Sequence, residues 1–203
     1  MAIASETIQI IANGLGVSPA TVRSYFREIQ KAGLIGKGGR GRAAEHFSSA
    51  DTARIVIALM GADSLAEAPV AVSLLGGTCC FIAGEPGQPD NRYRFDEVLS
   101  ELFEWAVGIE RQGEALDHFD LGVLDDKTSV EVRVLSTDLM AELYIDDQLS
   151  MRFKLVHPAP EPQDAKEAAI QHRLIERADE GGMRTTQSID HIVLRRIASG
   201  LPR

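Results

Sequence analysis

The chain has 203 residues, of which 44% are hydrophobic and 25% charged, and a formal net charge of −9. These proportions are those of an ordinary globular chain and exclude a disordered or fibrous one. The apolar runs from Ile55 to Met60 and Val70 to Leu75 are far too short to span a bilayer, and MAIASETIQI has no signal-peptide pattern, so a cytoplasmic protein with no membrane partner is expected.

Residues 1–60 carry seven Lys/Arg and four Asp/Glu, a net of +3, which leaves 14 basic and 26 acidic residues, a net of −12, for the rest. That asymmetry is the pattern of a basic contact module on an acidic body. Ser5 is expected to cap a first helix from about Glu6, with Ile8, Ile11, Ala12 and Leu15 on its apolar face. Gly14-Leu15-Gly16-Val17 ends it in a sharp turn. Ser18 then suits an N-cap and Pro19 the first helical position, so a second helix is predicted from Pro19 to Ala32, stopped by Gly33.

On that helix Val22, Phe26, Ile29 and in part Tyr25 form the buried stripe, leaving Thr21, Arg23, Ser24, Arg27 and Lys31 to solvent. Arg23, Arg27 and Lys31 stand at i, i+4 and i+8 and project from one side. A helix of this width fits the major groove, where Arg pairs with guanine and short hydroxyls meet phosphate; the plainer reading is a solvated basic face. Leu34-Ile35 reads as a short strand. Gly36 to Arg42 reads as a flexible basic tip in which Lys37, Arg40 and Arg42 approach a phosphate backbone. Ser48 to Asp51 caps a third helix, Thr52 to Met60.

This order resembles winged helix-turn-helix regulators. LGVSPATVRSYFREIQKAGLI is similar to their turn and recognition helix, and HFSSADTARIVIALM to the post-wing helix of mercury-resistance-regulator (MerR-like) domains. The resemblance covers roughly residues 5–62 and extends to compact prophage-encoded proteins of bacteria. It departs from MerR-like proteins in a longer recognition helix and in lacking their long dimerising coiled coil. It implies base or phosphate contact for Thr21, Arg23, Ser24 and Arg27, and wing contact for Lys37, Arg40 and Arg42. With Ser18 and Lys31 from the same helix, these residues are the expected DNA-binding set.

Beyond residue 62, Ala71 to Leu75 reads as a short helix limited by Pro69 and Gly76-Gly77, and residues 84–91 as a loop. Arg94 to Arg111 is strongly amphipathic, with Trp105 beside its apolar face and read as packing. Ser129 to Leu135, Met140 to Ile145 and Leu149 to Val156 read as strands, the last two joined by a hairpin at Asp146-Asp147-Gln148. HPAPEPQ is a linker, Asp164 caps a helix to about Asp179, and Ser188 to Ala198 forms a last helix that docks on the body or swaps onto a partner subunit. Cys79 and Cys80 are adjacent and read as buried reduced thiols. The five histidines have no metal-ligand spacing, and the body's aspartates read as turn chemistry. No metal site, cofactor or catalytic constellation is expected.

The expected fold is therefore α+β: a winged helix-turn-helix DNA-binding domain over 1–62, an acidic helix-plus-antiparallel-sheet body over 63–157 that oligomerises, and a linker with a helical tail over 158–203. The expected function is sequence-specific binding of double-stranded DNA by a bacterial or prophage transcriptional regulator, nucleoid-associated when bound, and acting as a homodimer or higher homo-oligomer. Two alternatives stand beside it. One is a phage DNA-packaging adaptor similar to small terminase subunits, which a ring-sized oligomer favours. The other is a ligand- or protein-binding sensor whose first 60 residues contact protein.

Overall fold

The computed structural model describes residues 2–36, 47–82, 90–106, 128–155, 159–179 and 186–199. Among them lie seven α-helices and six strands, and the strands form one antiparallel sheet, so the protein is α+β.

Helix α1 (Ala2–Leu15) begins earlier than its expected cap. Ala2 and Ala4 are strong helix formers and carry the helix back past Ser5, which lies inside it. Gly16 ends it at φ +68°, in the left-handed region that lets the chain reverse. Helix α2 (Pro19–Lys31) follows after two residues. Leu34 and Ile35, expected as a short strand, instead lie in a bend that pairs with no strand among the described residues.

Helix α3 (Ser49–Gly61) starts at a reciprocal cap: the Asp51 amide donates to Ser48 Oγ at 3.0 Å, and the Ser48 amide donates to Asp51 Oδ2 at 3.3 Å. Ala53 and every residue from Ile55 to Met60 are buried, so α3 is a central helix rather than a surface one. Helix α4 (Ala68–Gly76) packs on it closely, because a Cβ at Gly61 would overlap the Leu75 side chain. Pro69 sits in the first turn of α4, where its missing N–H costs nothing, and so it starts the helix it was expected to limit.

Strands β1 (Cys79–Ile82) and β2 (Asp90–Arg94) come next, neither of them expected, followed by α5 (Phe95–Ala106). Arg94 and the end of the expected 84–91 loop belong to β2, and residues 107–111 of the expected helix lie outside the described residues. Strand β3 (Val130–Leu135) runs into a 3-10 turn, Ser136–Asp138, and then into β4 (Met140–Ile145) and β5 (Gln148–Lys154). The turn between β4 and β5 places Asp146 at φ 49° and Asp147 at φ 62°, the two left-handed residues a tight hairpin demands. Helix α6 (Ala165–Asp179) precedes strand β6 (Thr186–Asp190) and α7 (His191–Ala198). The segment expected as a single last helix is thus split. Thr186–Asp190 pairs along β3, and the Asp190 carboxylate caps α7 through the Val193 amide at 2.9 Å, so the helix cannot begin earlier. Ile192, an apolar residue of that segment, is left 55% exposed.

The sheet order is β2-β1-β5-β4-β3-β6. Alternation sends Val130, Val132, Val134, Ala141, Leu143, Met151, Phe153, Cys80 and Ile189 into the core. The intervening residues, among them Glu131, Arg133, Glu142, Tyr144, Arg152 and Lys154, take the opposite face. Cys80 is buried by this alternation, whereas Cys79 is only partly buried; both are free thiols. The apolar core is continuous from Ile8 to Ala198 across residue 62. In it α3 meets α2, α4 and α5, and α7 lies against both α1 and α5. Among the described residues, no helix is long and apolar enough to cross a membrane.

Candidate nucleic-acid interface

Helix α2 is held at both ends by its own sequence. Ser18 has extended backbone (φ −72°, ψ 145°), and its Oγ accepts the Thr21 amide at 3.0 Å, with Pro19 at the first helical position. At the other end Gly33 adopts φ +75° and terminates the helix. Val22 and Ile29 are fully buried, and Tyr25 and Phe26 are partly buried on either side of them.

At 3.6 residues per turn, Arg23 and Arg27 fall opposite the Val22–Ile29 line. Both are exposed, and neither has a hydrogen bond or ion pair among the described residues. Lys31 is also exposed but is drawn to Glu28, with Nζ 2.6 Å from Oε1. The three hydroxyls of the expected set make local bonds. Ser18 Oγ and Thr21 Oγ1 are 2.8 Å apart, and Ser24 Oγ donates to the Ala20 carbonyl at 3.0 Å. Of the expected residues that are described, Arg23 and Arg27 are the charged ones without a partner among the described residues. Lys37, Arg40 and Arg42 lie outside the described residues.

Gln30 Nε2 donates to the Gly36 carbonyl at 3.1 Å, and the Phe47 ring meets the Phe26 ring edge to face with centroids 5.0 Å apart. Phe26 and Gln30 are the helical neighbours of Arg23 and Arg27 at i+3 spacing. Gly36 and Phe47, the described residues on either side of 37–46, are therefore both fastened to α2 beside its arginine side. Arg54, one of the seven basic residues of the first sixty, is used internally. It donates to the Leu34 carbonyl at 2.9 Å and lies 3.5 Å from the buried Asp96 carboxylate. It secures the segment leaving α2 rather than adding to the exposed charge.

Comparison with family models, curated proteins and solved structures gives no match. What the site can do follows from its own groups.

The inner side of α2 is tied to the body through Tyr25, whose hydroxyl donates to the Ala62 carbonyl at 3.2 Å. Burial, and then the charges of Asp63 and Glu67, push its phenol above its ordinary value. Sequence reasoning missed Gln30, Phe47 and Arg54 as anchors. The Gln30 and Phe47 contacts depend on where the chain leaves and re-enters, which no local pattern encodes. Among the described residues no cluster of three His, Cys, Asp or Glu side chains is placed to hold a metal ion. Chemically, the arginine side of α2 offers paired N–H donors with fixed positive charge, the recognition chemistry of phosphates and of guanine edges.

Proposed function

We propose that the protein binds double-stranded DNA as a transcriptional regulator of the winged helix-turn-helix kind. In this reading α2 enters the major groove with Arg23 and Arg27 toward the bases, and the Lys37–Arg42 segment meets the flanking phosphates. The observation that carries it is the pair of exposed arginines, without a partner among the described residues, on a helix capped at both ends, with the flanking residues Gly36 and Phe47 fastened to that helix. A helix that merely solvated its outer face would not need both flanks of 37–46 anchored to it. One module makes few contacts, so two or more copies acting on repeated half-sites supply the affinity.

Selection from a random DNA pool followed by shift assays across a salt series tests the reading. Binding should fall steeply with salt. Arg23→Ala combined with Arg27→Ala should weaken binding by about 1–3 kcal/mol per arginine and relax the selected sequence, with the fold intact by circular dichroism. Salt-insensitive binding, or a double variant that selects the same sequence as tightly, overturns it.

A further inference from the structure

On the side of the sheet away from α3 and α5 lies a cleft of about 570 Å³, lined by residues of β4, β5, the 3-10 turn and the C-terminal end of α6. Its volume is in the range of small-molecule sites. Its charge pattern is what distinguishes it. Glu142 is nearly buried and is held by Arg152 through Nε at 2.8 Å and a terminal guanidinium nitrogen at 2.7 Å, and by the Tyr144 hydroxyl at 2.9 Å. That network satisfies the carboxylate and fixes the Arg152 guanidinium in place without using all of its N–H donors. Lys154, one residue-pair along β5 on the same face, lines the cleft and has no ionic partner among the described residues.

The opposite wall has the opposite sign. Asp179 closes α6 and also lacks an ionic partner among the described residues, and the last turn of a helix carries partial negative charge from its carbonyls. Between them stand Leu139, Met140, Ile175 and Ala178, with Asp138 of the 3-10 turn also at the cleft but already engaged in an interaction of its own. A cation and an anion that both lack an ionic partner among the described residues, lining one small cleft with largely apolar sides, match a molecule bearing both charges on a short apolar frame. A simple anion would meet Asp179, and a simple cation would meet Lys154.

We propose that this cleft binds a small zwitterion of the α-amino-acid class, its carboxylate at Lys154 and Arg152 and its ammonium at Asp179 and the end of α6. The site shares no residue with the arginine face of α2, and binding is measured without DNA, so the two readings stand or fall separately.

The test is calorimetric titration of the full chain with each standard α-amino acid, alongside the N-acetylated and the decarboxylated form of any that binds. At least one amino acid should bind, and both altered forms should bind about tenfold or more weakly, because each lacks one charge. Lys154→Met and Asp179→Asn should each weaken binding by the same order and leave the ligand-free Tm unchanged, as both side chains are exposed. Absence of binding by every amino acid overturns the proposal. So does an N-acetylated or decarboxylated form that binds as tightly as its parent, or full binding retained by both variants.

Discussion

Phe47 stands with its ring edge-on to Phe26, the planes at 86°, and so ties the chain just before α3 to helix α2. Phe47 is buried and Phe26 partly so. Phe47→Ala removes both the apolar burial and the ring contact, and should cost about 3 kcal/mol. Phe47→Leu keeps most of the burial and should cost about 1 kcal/mol. Urea unfolding followed by circular dichroism measures both, and a Phe47→Leu protein as stable as the parent would show that the edge-to-face contact contributes nothing of its own.

The α1–α2 turn depends on backbone geometry more than on packing. Gly16 sits at φ +68°, and nothing lies within 4 Å of where a Cβ would be. Gly16→Ala therefore adds no clash, and its cost is the left-handed conformation itself, about 1 kcal/mol. Gly16→Asn should cost less, since asparagine tolerates that region. Chemical denaturation midpoints at matched m-values order the three proteins.

The parts of the fold legible in the sequence are those whose signals are local. α2 has its cap, its proline, its stop and its stripe within sixteen residues, and all were placed within a residue of where they lie. The β4–β5 hairpin was legible for the same reason, because two aspartates between alternating segments leave few other turns. Strands β1, β2 and β6 were not, because each is defined by its neighbour. TQSID has a single buried residue, Ile189, and becomes a strand only by pairing along β3. In the candidate site the outward position of Arg23 and Arg27 follows from helical period alone. The diversion of Arg54 to Leu34 and Asp96 needed α5 to be in place.

That diversion makes Arg54 a stability residue. Asp96 is buried at the start of α5, and its carboxylate faces Arg54 at 3.5 Å and Arg94 at 3.4 Å. Arg54→Met leaves a buried carboxylate with one partner and an unmet Leu34 carbonyl. A loss of about 3 kcal/mol is expected. The double variant Arg54→Met with Asp96→Leu should recover part of it, since the stranded charge is then gone. A double variant less stable than Arg54→Met alone would contradict this account.

Acid should weaken the attachment of β6. The Glu131 carboxyl is held below its ordinary value of 4.5 chiefly by the hydrogen bond from Arg133, partly offset by burial and helped by Ser188 on β6. A lowered carboxyl adds stability that is fully present above its unfolded value and is lost as pH falls through the folded one. Hydrogen exchange of the β6 amides should therefore quicken below about pH 4.5, relative to amides of β4, once intrinsic exchange is corrected for. In Glu131→Gln that extra quickening should disappear.

Tyr25 gives the alkaline counterpart on the inner side of α2. Its phenol is raised above 10.0 by burial first and then by Asp63 and Glu67. A raised acid retains its proton longer folded than unfolded, so the stability it adds is complete below the unfolded value and is lost as pH rises through the folded one. The cause is physical proximity: ionised Tyr25 would surrender its donation to the Ala62 carbonyl and face two carboxylates. Glu67 is itself buried and engaged by Arg173 at 2.6 Å and by the Asp63 amide, so it cannot readily move away. Tyr25→Phe should cost about 1 kcal/mol at neutral pH for the lost hydrogen bond, and its stability should decline less steeply above pH 10. Asp63→Asn should lower the titration midpoint of Tyr25 followed by tyrosinate absorbance. A midpoint that does not move in that variant would leave burial and Glu67 as the causes.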